Sequence, residues 1–382
     1  MTAIDLTLQG AEVLFPEGLA EGALALSGGQ IADAPVGREV DLRGYWVLPG
    51  IVDIHGDAFE KHLAPRRGAM KDLDQGLVAA EAEIASNGIS TSVLAQFFSW
   101  EGGMRGPEFA GRVLAGLDAV RESLMTDLRV QLRFEICMLD AYADFEALAL
   151  RHGVEYVVFN DHLPHDELAK GKRPPRLTGQ ALRIGKNPEK HLADLQAWHA
   201  AMDQVPAAVD ALAQSLRDKG IAMGSHDDRT QADRATWRAL GAHIAEFPET
   251  LEAGEAAHAG GDPVILGAPN VVRGGSHKGN VSALEMVAMG YCTALASDYH
   301  YPSMRRAAFL LADGGVMDLA TAWGLISSGP AGILGLEDRG VLQPGKRADL
   351  IVMEPATRRV CATMSAGRFS YLSGEVAARF MG

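Results

Sequence analysis

The sequence predicts an α/β protein, a TIM-like (β/α)₈ barrel with a small β-sandwich domain formed from both chain termini. Three observations lead to this prediction. Short apolar segments in the middle of the chain alternate with helix-like stretches, which is typical of a parallel sheet. Both ends of the chain instead carry short segments with strand periodicity, broken at Gly and Pro. The length of 382 residues accommodates a barrel of about 250 residues and one smaller domain.

The chain begins with segments that alternate apolar and polar residues, namely LTLQGAEVLF, GALALSGGQIA and REVDLRGYWVLPG. It ends in the same way, with RADLIVMEP, RRVCATMSAG and FSYLSGEVA. Because chain ends often lie close together, we expect residues 1–48 and 338–382 to form one composite β domain.

The barrel is predicted to occupy residues 49–337. Runs such as DQGLVAAEAEIASNG and QVPAAVDALAQSLRDKG are predicted to be helices between strands, and eight strands would close the barrel. The long charged stretch near 161–204 is predicted to be a loop and helix that cover the barrel mouth as a lid. The candidate strands are Gly50–His55, Ile89–Ala95, Val130–Ile136, Val154–Asn160, Ile221–Ser225, His243–Glu246, Val264–Gly267 and Thr293–Ser297.

The composition limits the partners of this protein. A net charge of -14 argues against nucleic acid, because such binding needs a basic face that displaces counterions from phosphate. The amino terminus lacks the features of a signal peptide, and nowhere do about 18 apolar residues run together, so no membrane span is expected. Cys137, Cys292 and Cys361 show no CxxC pairing, which favours a reducing cytoplasm. We expect a small-molecule substrate, and the sequence leaves a homo-oligomer open.

Residues that can bind a metal stand at the carboxyl ends of five predicted strands. In a barrel these ends converge on one face, where such enzymes place their chemistry. Histidine and carboxylate together suit Zn²⁺, with Mn²⁺, Fe²⁺ and Ni²⁺ as alternatives, and two such ions can share a bridging carboxylate. The residues are His55, Asp57, Glu135, Asp161, His162, His226, Asp227, Asp228, Asp298 and His300.

Each of these residues also has an ordinary structural explanation. A single His at a strand end is more often bonded to backbone, and Asp57, Asp161 and Asp298 are suitable helix caps. Glu135 is harder to explain in this way, because an acid in the apolar context RFEI needs a nearby Arg or a metal. The coincidence of such residues at five strand ends favours a metal site.

Basic residues follow two of the strands. Lys61, His62, Arg66 and Arg67 come after the first strand, and the segment RGGSHKGN places Arg273, His277 and Lys278 among glycines after the seventh. Glycine allows backbone N–H groups to approach phosphate closely, and the last loops of barrels often bind phosphate. We therefore predict that Lys61, His62, Arg66, Arg273, His277 and Lys278 bind the phosphates of an anionic substrate. The alternative is a solvated basic loop, which is favoured for Arg67 and for Lys278 taken alone.

Several motifs resemble known hydrolases. The segment PGIVDIHGD resembles the PGxxDxHxH opening of the amidohydrolase superfamily, and ASD and GVLQPGKRADLIV resemble its last strand and carboxyl terminus. The second histidine of the opening is replaced by Asp57. This replacement points to one branch of the superfamily. With HGDAFEKHLAPRRG, LRFEI, NDHLP, SHDD, AEFPET, GAPNVVRGGSHKGN and ASDYHYPSM, the whole chain resembles the PhnM family of the carbon–phosphorus lyase pathway.

The resemblance implies both a reaction and a site. The reaction is metal-dependent hydrolysis of alpha-D-ribose 1-methylphosphonate 5-triphosphate to the 5-phosphate and pyrophosphate, in phosphonate catabolism. Glu135 and Asp298 would be catalytic, although most superfamily members place the bridging carboxylate one strand later than Glu135. The implied metal ligands are His55, Asp57 and Asp298 for one ion, His162 and His226 for the other, and Glu135 as the bridge.

Two other functions stay open at the level of sequence. The same scaffold hosts many substrates, so an amidohydrolase that acts on a cyclic amide or an N-acyl compound is one alternative. The basic loops and the missing HxH motif argue against it. A non-catalytic metal-binding barrel is the other alternative, and the full set of candidate ligands argues against that one.

Overall fold

A computed structural model describes residues 4–64, 72–274 and 282–382. The strands, in chain order, are β1 (Leu6–Phe15), β2 (Gly18–Ser27), β3 (Gln30–Ala32), β4 (Arg38–Asp41), β5 (Trp46–Pro49), β6 (Ile51–Gly56), β7 (Ile89–Phe98), β8 (Asp127–Glu135), β9 (Tyr156–Asn160), β10 (Ala222–His226), β11 (Ile244–Glu246), β12 (Val264–Gly267), β13 (Ala294–Ala296), β14 (Leu350–Glu354), β15 (Arg359–Ser365) and β16 (Arg368–Leu372). They form two sheets, and the central strands β6 to β13 belong to one of them.

The helices lie mainly between the central strands. They are α1 (Glu60–Leu63), α2 (Leu73–Ser86), α3 (Pro107–Val120), α4 (Tyr142–Arg151), α5 (His165–Ala169), α6 (Leu177–Arg183), α7 (Pro188–Ala200), α8 (Val205–Asp218), α9 (Gln231–Ala239), α10 (Leu251–Ala259), α11 (Ala268–Arg273), α12 (Ala283–Ala288), α13 (Ser303–Asp313), α14 (Leu319–Gly324), α15 (Ser328–Ile333) and α16 (Gly374–Met381). Within the three described ranges, no helix combines the length and the apolar character that crossing a membrane requires.

The central sheet is a parallel barrel whose strand order follows the chain from β6 to β13. Most of its strands are buried along their whole length, as is typical of a parallel sheet that is covered on both faces. The last strand, β13, lies next to the first, β6. The N–H of Asp298, just after β13, donates to the carbonyl of His55 in β6 at 2.9 Å. The predicted (β/α)₈ barrel is confirmed, and each of its eight strands overlaps the predicted segment.

The second sheet combines strands from both ends of the chain, as predicted. Its order is β16-β15-β14-β5-β1-β2-β3, and β4 pairs with β1. The central strand β5 pairs antiparallel with β14, with Val47 opposite Val352. Val376 and Phe380 of α16 belong to the apolar core on this sheet. The carboxyl-terminal strands therefore complete a sheet that the amino-terminal strands begin.

Contacts divide the chain into two compact units. One comprises Met1–Leu94, Ala119–Arg129 and Pro263–Gly382, and the other comprises Ala95–Asp118 and Val130–Asp262. The division falls within β7 and β8, so it does not follow the predicted boundary between a terminal β domain and the barrel, which stays a prediction.

The predicted lid region near 161–204 contains the helices α5, α6 and α7. Helix α7 begins at a strong cap, because the side chain of Asn187 accepts from the backbone N–H groups of Glu189 and Lys190. The ring of Trp198 on this helix lies 6.1 Å from that of Trp100. A covering function for these helices stays a prediction.

Candidate active site

The first group of candidate ligands lies where β6 meets β13. His55 is buried near the end of β6, and Asp57 comes directly after that strand. Gly56 forms a parallel bridge with Asp298, whose carbonyl accepts from the N–H of Asp57 at 3.0 Å. These backbone bonds hold the three candidate ligands, His55, Asp57 and Asp298, at one edge of the barrel.

A buried carboxylate supports the turn that carries Asp298. Both oxygens of Asp53 accept from Ser297, one from its N–H at 2.9 Å and the other from its hydroxyl at 2.6 Å. Burial raises the pKa of Asp53, and the bonds from Ser297 oppose that effect. Asp298 itself has a φ of 54°, in the left-handed region that Asp tolerates better than most residues. Asp53 therefore has a structural function, because it fixes the residue before Asp298.

The second group of candidate ligands surrounds β8. Gln131, Arg133 and Glu135 alternate along this strand, so their side chains share one face. All three are buried. Each contacts a residue at or just after the carboxyl end of a different strand, on β11, β10 and β9 respectively, and the resulting three pairs build this half of the site.

The first pair joins Glu135 to His162. The backbone N–H of His162 donates to Oε2 of Glu135 at 3.0 Å, and Nδ1 of the imidazole contacts Oε1. Burial alone would lower the pKa of His162, but the nearby Glu135 outweighs burial and raises it. The buried acid of the RFEI segment thus has a histidine as its partner, at the position where a metal bridge was predicted.

The second pair joins Arg133 to His226. Nη2 of Arg133 lies 3.0 Å from Nε2 of His226, and Nδ1 of His226 lies 3.2 Å from Oδ1 of Asp227. Burial, together with the charge of Arg133, lowers the pKa of His226 to about 4. The imidazole is therefore neutral at physiological pH, which is the form that binds a metal.

The donor set fits a divalent cation. His162, His226 and Asp227 each offer a ligand atom, and these atoms all lie within 4.8 Å of one another. Imidazole nitrogen with carboxylate oxygen is a typical combination for Zn²⁺ and neighbouring transition metals.

The third pair includes a residue, Glu246, that was not among the site residues predicted from the sequence. Glu246 at the end of β11 is fully buried and lies opposite His226 in the strand register. Its Oε1 accepts from Gln131 at 2.5 Å and from the hydroxyl of Tyr156 at 2.9 Å. Burial, followed by the charge of Glu246, raises the pKa of Tyr156 well above its ordinary value. The signal was present in the motif AEFPET, which places a carboxylate at a sixth strand end.

Two other acids of these motifs have partners elsewhere. Oδ2 of Asp228 accepts from Ser225 at 2.7 Å and from the buried Arg234 at 2.9 Å. Asp161 pairs with His165, whose Nε2 lies 2.9 Å from Oδ2. These contacts give both acids a structural explanation.

The predicted phosphate-binding residues are only partly described. Lys61 and His62 each contact Glu83 at 2.6 Å. Burial raises the pKa of Glu83, but the two bonds outweigh it and the pKa is lowered. The guanidinium of Arg273 lies 3.5 Å from the hydroxyl of Tyr299. Their binding of phosphate stays a prediction, and Arg66, His277 and Lys278 lie outside the described residues.

Several solved structures share this fold. A putative prolidase from Bifidobacterium longum covers 100% of the chain and 99% of its own length, with a TM-score of 0.65 and 13% identity. A Xaa-Pro dipeptidase with bound methionine covers 97% and 100%, with a TM-score of 0.64 and 14% identity. Dihydropyrimidinase from Brevibacillus agri NCHU1002 covers 98% and 97%, with a TM-score of 0.57 and 12% identity. At these identities the likeness concerns the fold alone.

The sequence comparisons define the class of protein more closely. A model of the amidohydrolase family matches residues 282–371. Together with the parallel barrel and its histidines and carboxylates at strand ends, this match defines a hydrolase of the amidohydrolase superfamily.

A curated relative then gives the particular family. The alpha-D-ribose 1-methylphosphonate 5-triphosphate diphosphatase of Escherichia coli (strain K12) is 31% identical over 364 residues, which is 91% of this chain and 94% of the relative. The chain belongs to the family of this diphosphatase.

Proposed function

We propose that this protein hydrolyses alpha-D-ribose 1-methylphosphonate 5-triphosphate to alpha-D-ribose 1-methylphosphonate 5-phosphate and pyrophosphate, in phosphonate catabolism. The observation that carries the proposal is the 31% identity to the diphosphatase from Escherichia coli across nearly the full length of both chains. The neutral imidazole of His226, opposite Glu246 in the strand register and 3.2 Å from Asp227, supports it chemically.

The proposed metal ligands are those that the family resemblance implies. His55, Asp57 and Asp298 would hold one divalent cation, His162 and His226 would hold a second, and Glu135 would be the carboxylate that both share. Such cations neutralise phosphate charge and lower the pKa of a water bound to them toward neutrality. Zn²⁺ is the proposed metal, because the ligand set combines imidazole with carboxylate. Glu246, opposite His226, is a further candidate ligand.

The remaining residues act on the substrate and on the proton. Asp298 orients the attacking water and accepts its proton, because its backbone is fixed between β6 and β13 while its side chain is partly accessible. The departing pyrophosphate is held by the predicted phosphate-binding residues, namely Lys61, His62, Arg66, Arg273, His277 and Lys278. Lys61 keeps donors for this function beside Glu83, since an ammonium group has three N–H bonds and its side chain is 55% exposed.

The position of bond cleavage tests this proposal. Phosphorus NMR in oxygen-18 water should show the ribose triphosphate converted to monophosphate and pyrophosphate, with the label in the monophosphate. Attack at the α-phosphorus gives this pattern. Label in pyrophosphate would move the attack to the β-phosphorus, and release of inorganic phosphate would move it to the γ-phosphorus. Either result contradicts the orientation proposed here.

The second candidate is hydrolysis of a cyclic amide or an N-acyl compound. It is favoured by the fold that the chain shares with dihydropyrimidinase and with the dipeptidases. Turnover of such a substrate, with none of the ribose triphosphate, would support this candidate. Bound metal with hydrolysis of neither substrate would support a non-catalytic barrel.

A further inference from the structure

Arg133 lies inside the site, but it was not among the predicted catalytic, metal-binding or phosphate-binding residues. It is only 4% exposed, and it lies on β8 on the same face as Gln131 and Glu135. The residues on either side of it along this face contact Glu246 and His162. Arg133 therefore lies at the middle of the row of side chains that face the ligand-bearing strand ends.

Three contacts fix the plane of its guanidinium. Nη2 lies 3.0 Å from Nε2 of His226 and 3.2 Å from Oδ1 of Asn160, and Cζ lies 3.9 Å from the centre of the Phe97 ring. These contacts come from the strands β7, β9 and β10. Stacking on an aromatic ring suits a planar guanidinium, whereas an ammonium group has no equivalent planar face. The site is thus shaped for arginine at this position.

The contact with His226 indicates how the guanidinium can bind a substrate. A neutral imidazole has one acceptor nitrogen, and Arg133 donates to it at Nε2. Coordination of a metal through Nε2 requires the same lone pair. The N–H of Arg133 then needs a different acceptor close to the metal ligand. A phosphoryl oxygen is a strong acceptor, and guanidinium binds phosphate through two parallel hydrogen bonds.

We propose that Arg133 binds a phosphoryl group of the substrate beside the candidate metal ligand His226 and so determines specificity for phosphoanhydrides over amides. This inference rests on the proposed diphosphatase function. The inference adds a phosphate-binding residue to the basic residues of the loops. Unlike those residues, Arg133 contacts a candidate metal ligand directly.

The test compares variants at Arg133 with a matched change at Arg105. Arg105 also stacks on Phe97, with Cζ at 4.3 Å from the ring centre, but it pairs with Glu101 at 2.6 Å in an exposed position. Arg133→Gln should keep the metal content and weaken binding of tripolyphosphate to the metal-loaded protein at least about 10-fold, with kcat for the ribose triphosphate lowered about 100-fold. Arg105→Gln should change neither quantity more than about threefold. Calorimetry, metal analysis and steady-state kinetics give these values.

Arg133→Lys separates charge from shape. It should recover part of the tripolyphosphate affinity but not the full kcat, because an ammonium group lacks the paired donors. Tripolyphosphate affinity and kcat of Arg133→Gln within about threefold of wild type would overturn the inference. Loss of metal from folded Arg133→Gln and Arg133→Lys would also overturn it, since Arg133 would then only position His226. If the wild-type protein does not hydrolyse the ribose triphosphate, the proposed function fails, while tripolyphosphate binding still decides the function of Arg133.

Discussion

At the scale of single residues, the SHDD segment shows how adjacent side chains acquire different functions. His226 ends β10 and points toward Arg133, whereas Asp228 lies two residues further along and bonds with Arg234. Arg234 is fully buried and also pairs with Asp262 at 2.7 Å. The histidine belongs to the candidate metal site, and the aspartate belongs to a buried ion-pair network.

We predict that changes at His226 and Asp228 affect different properties, namely metal binding and stability. His226→Ala should weaken metal binding by at least about 10–100-fold, the range known for loss of a supporting partner alone. Asp228→Ala should keep the metal and lower the free energy of unfolding by about 3 kcal/mol, because it breaks a buried pair. Metal analysis with urea unfolding of both variants checks this. Normal metal in His226→Ala, or metal loss without destabilisation in Asp228→Ala, would contradict the assignment.

At the scale of elements, the helices that follow β9 are linked by histidines. Nε2 of His165 on α5 lies 2.9 Å from Oδ2 of Asp161, and its Nδ1 lies 2.8 Å from Nδ1 of His199 on α7. Protonated His165 can donate to both partners at once. The bond to Asp161, opposed in part by burial, raises the pKa of His165. The contact between α5 and α7 is therefore expected to depend on pH.

The sign of this dependence follows from the raised pKa. Protonation of His165 stabilises the contact below its ordinary pKa of 6.5, and this contribution is lost as the pH rises through the raised value in the folded protein. NMR titration should give a pKa above 6.5 in wild type and a lower value in Asp161→Asn. Asp166→Asn is the matched control and should have a smaller effect, since Asp166 acts on His165 only through its charge. Equal effects of the two variants would contradict the assigned bond.

At the scale of the whole molecule, the terminal sheet depends on both chain ends. Strand β5 contacts β1 on one side and β14 on the other, with Leu350 opposite Pro49. Helix α16 adds Val376 and Phe380 to the same apolar core. Strands β14 and β15 are thus internal to the sheet and β16 forms its edge, whereas α16 packs on its apolar core.

Two truncations should therefore differ strongly. Removal of residues 374–382 should leave a folded, metal-binding protein with its unfolding free energy lowered by about 3–6 kcal/mol, because two buried apolar side chains are lost. Removal of residues 350–382 should prevent soluble folding, since it also removes β14 to β16 and exposes an edge of β5. Expression, circular dichroism and thermal unfolding give the comparison. A soluble 1–349 chain with a wild-type unfolding midpoint would contradict the importance of the carboxyl-terminal strands.

The sequence by itself determined the class of fold and the kinds of residue in the site. Apolar runs and helical stretches alternate locally along the chain, so the eight barrel strands and the sheet from both ends were predictable. The ligand types at five strand ends followed from the same strands. Even the sixth, Glu246, was visible in AEFPET once its strand was known.

Only the tertiary structure decided which side chains meet. Glu135 contacts His162, Arg133 contacts His226 and Lys61 contacts Glu83, and the members of each pair are separated by 22 to 93 residues. The first two pairings depend on the register between strands and on the direction of each side chain across them, and the third depends on the packing of α1 against α2. Register is a property of neighbouring strands and not of a segment alone, because a shift of one residue turns every side chain to the opposite face.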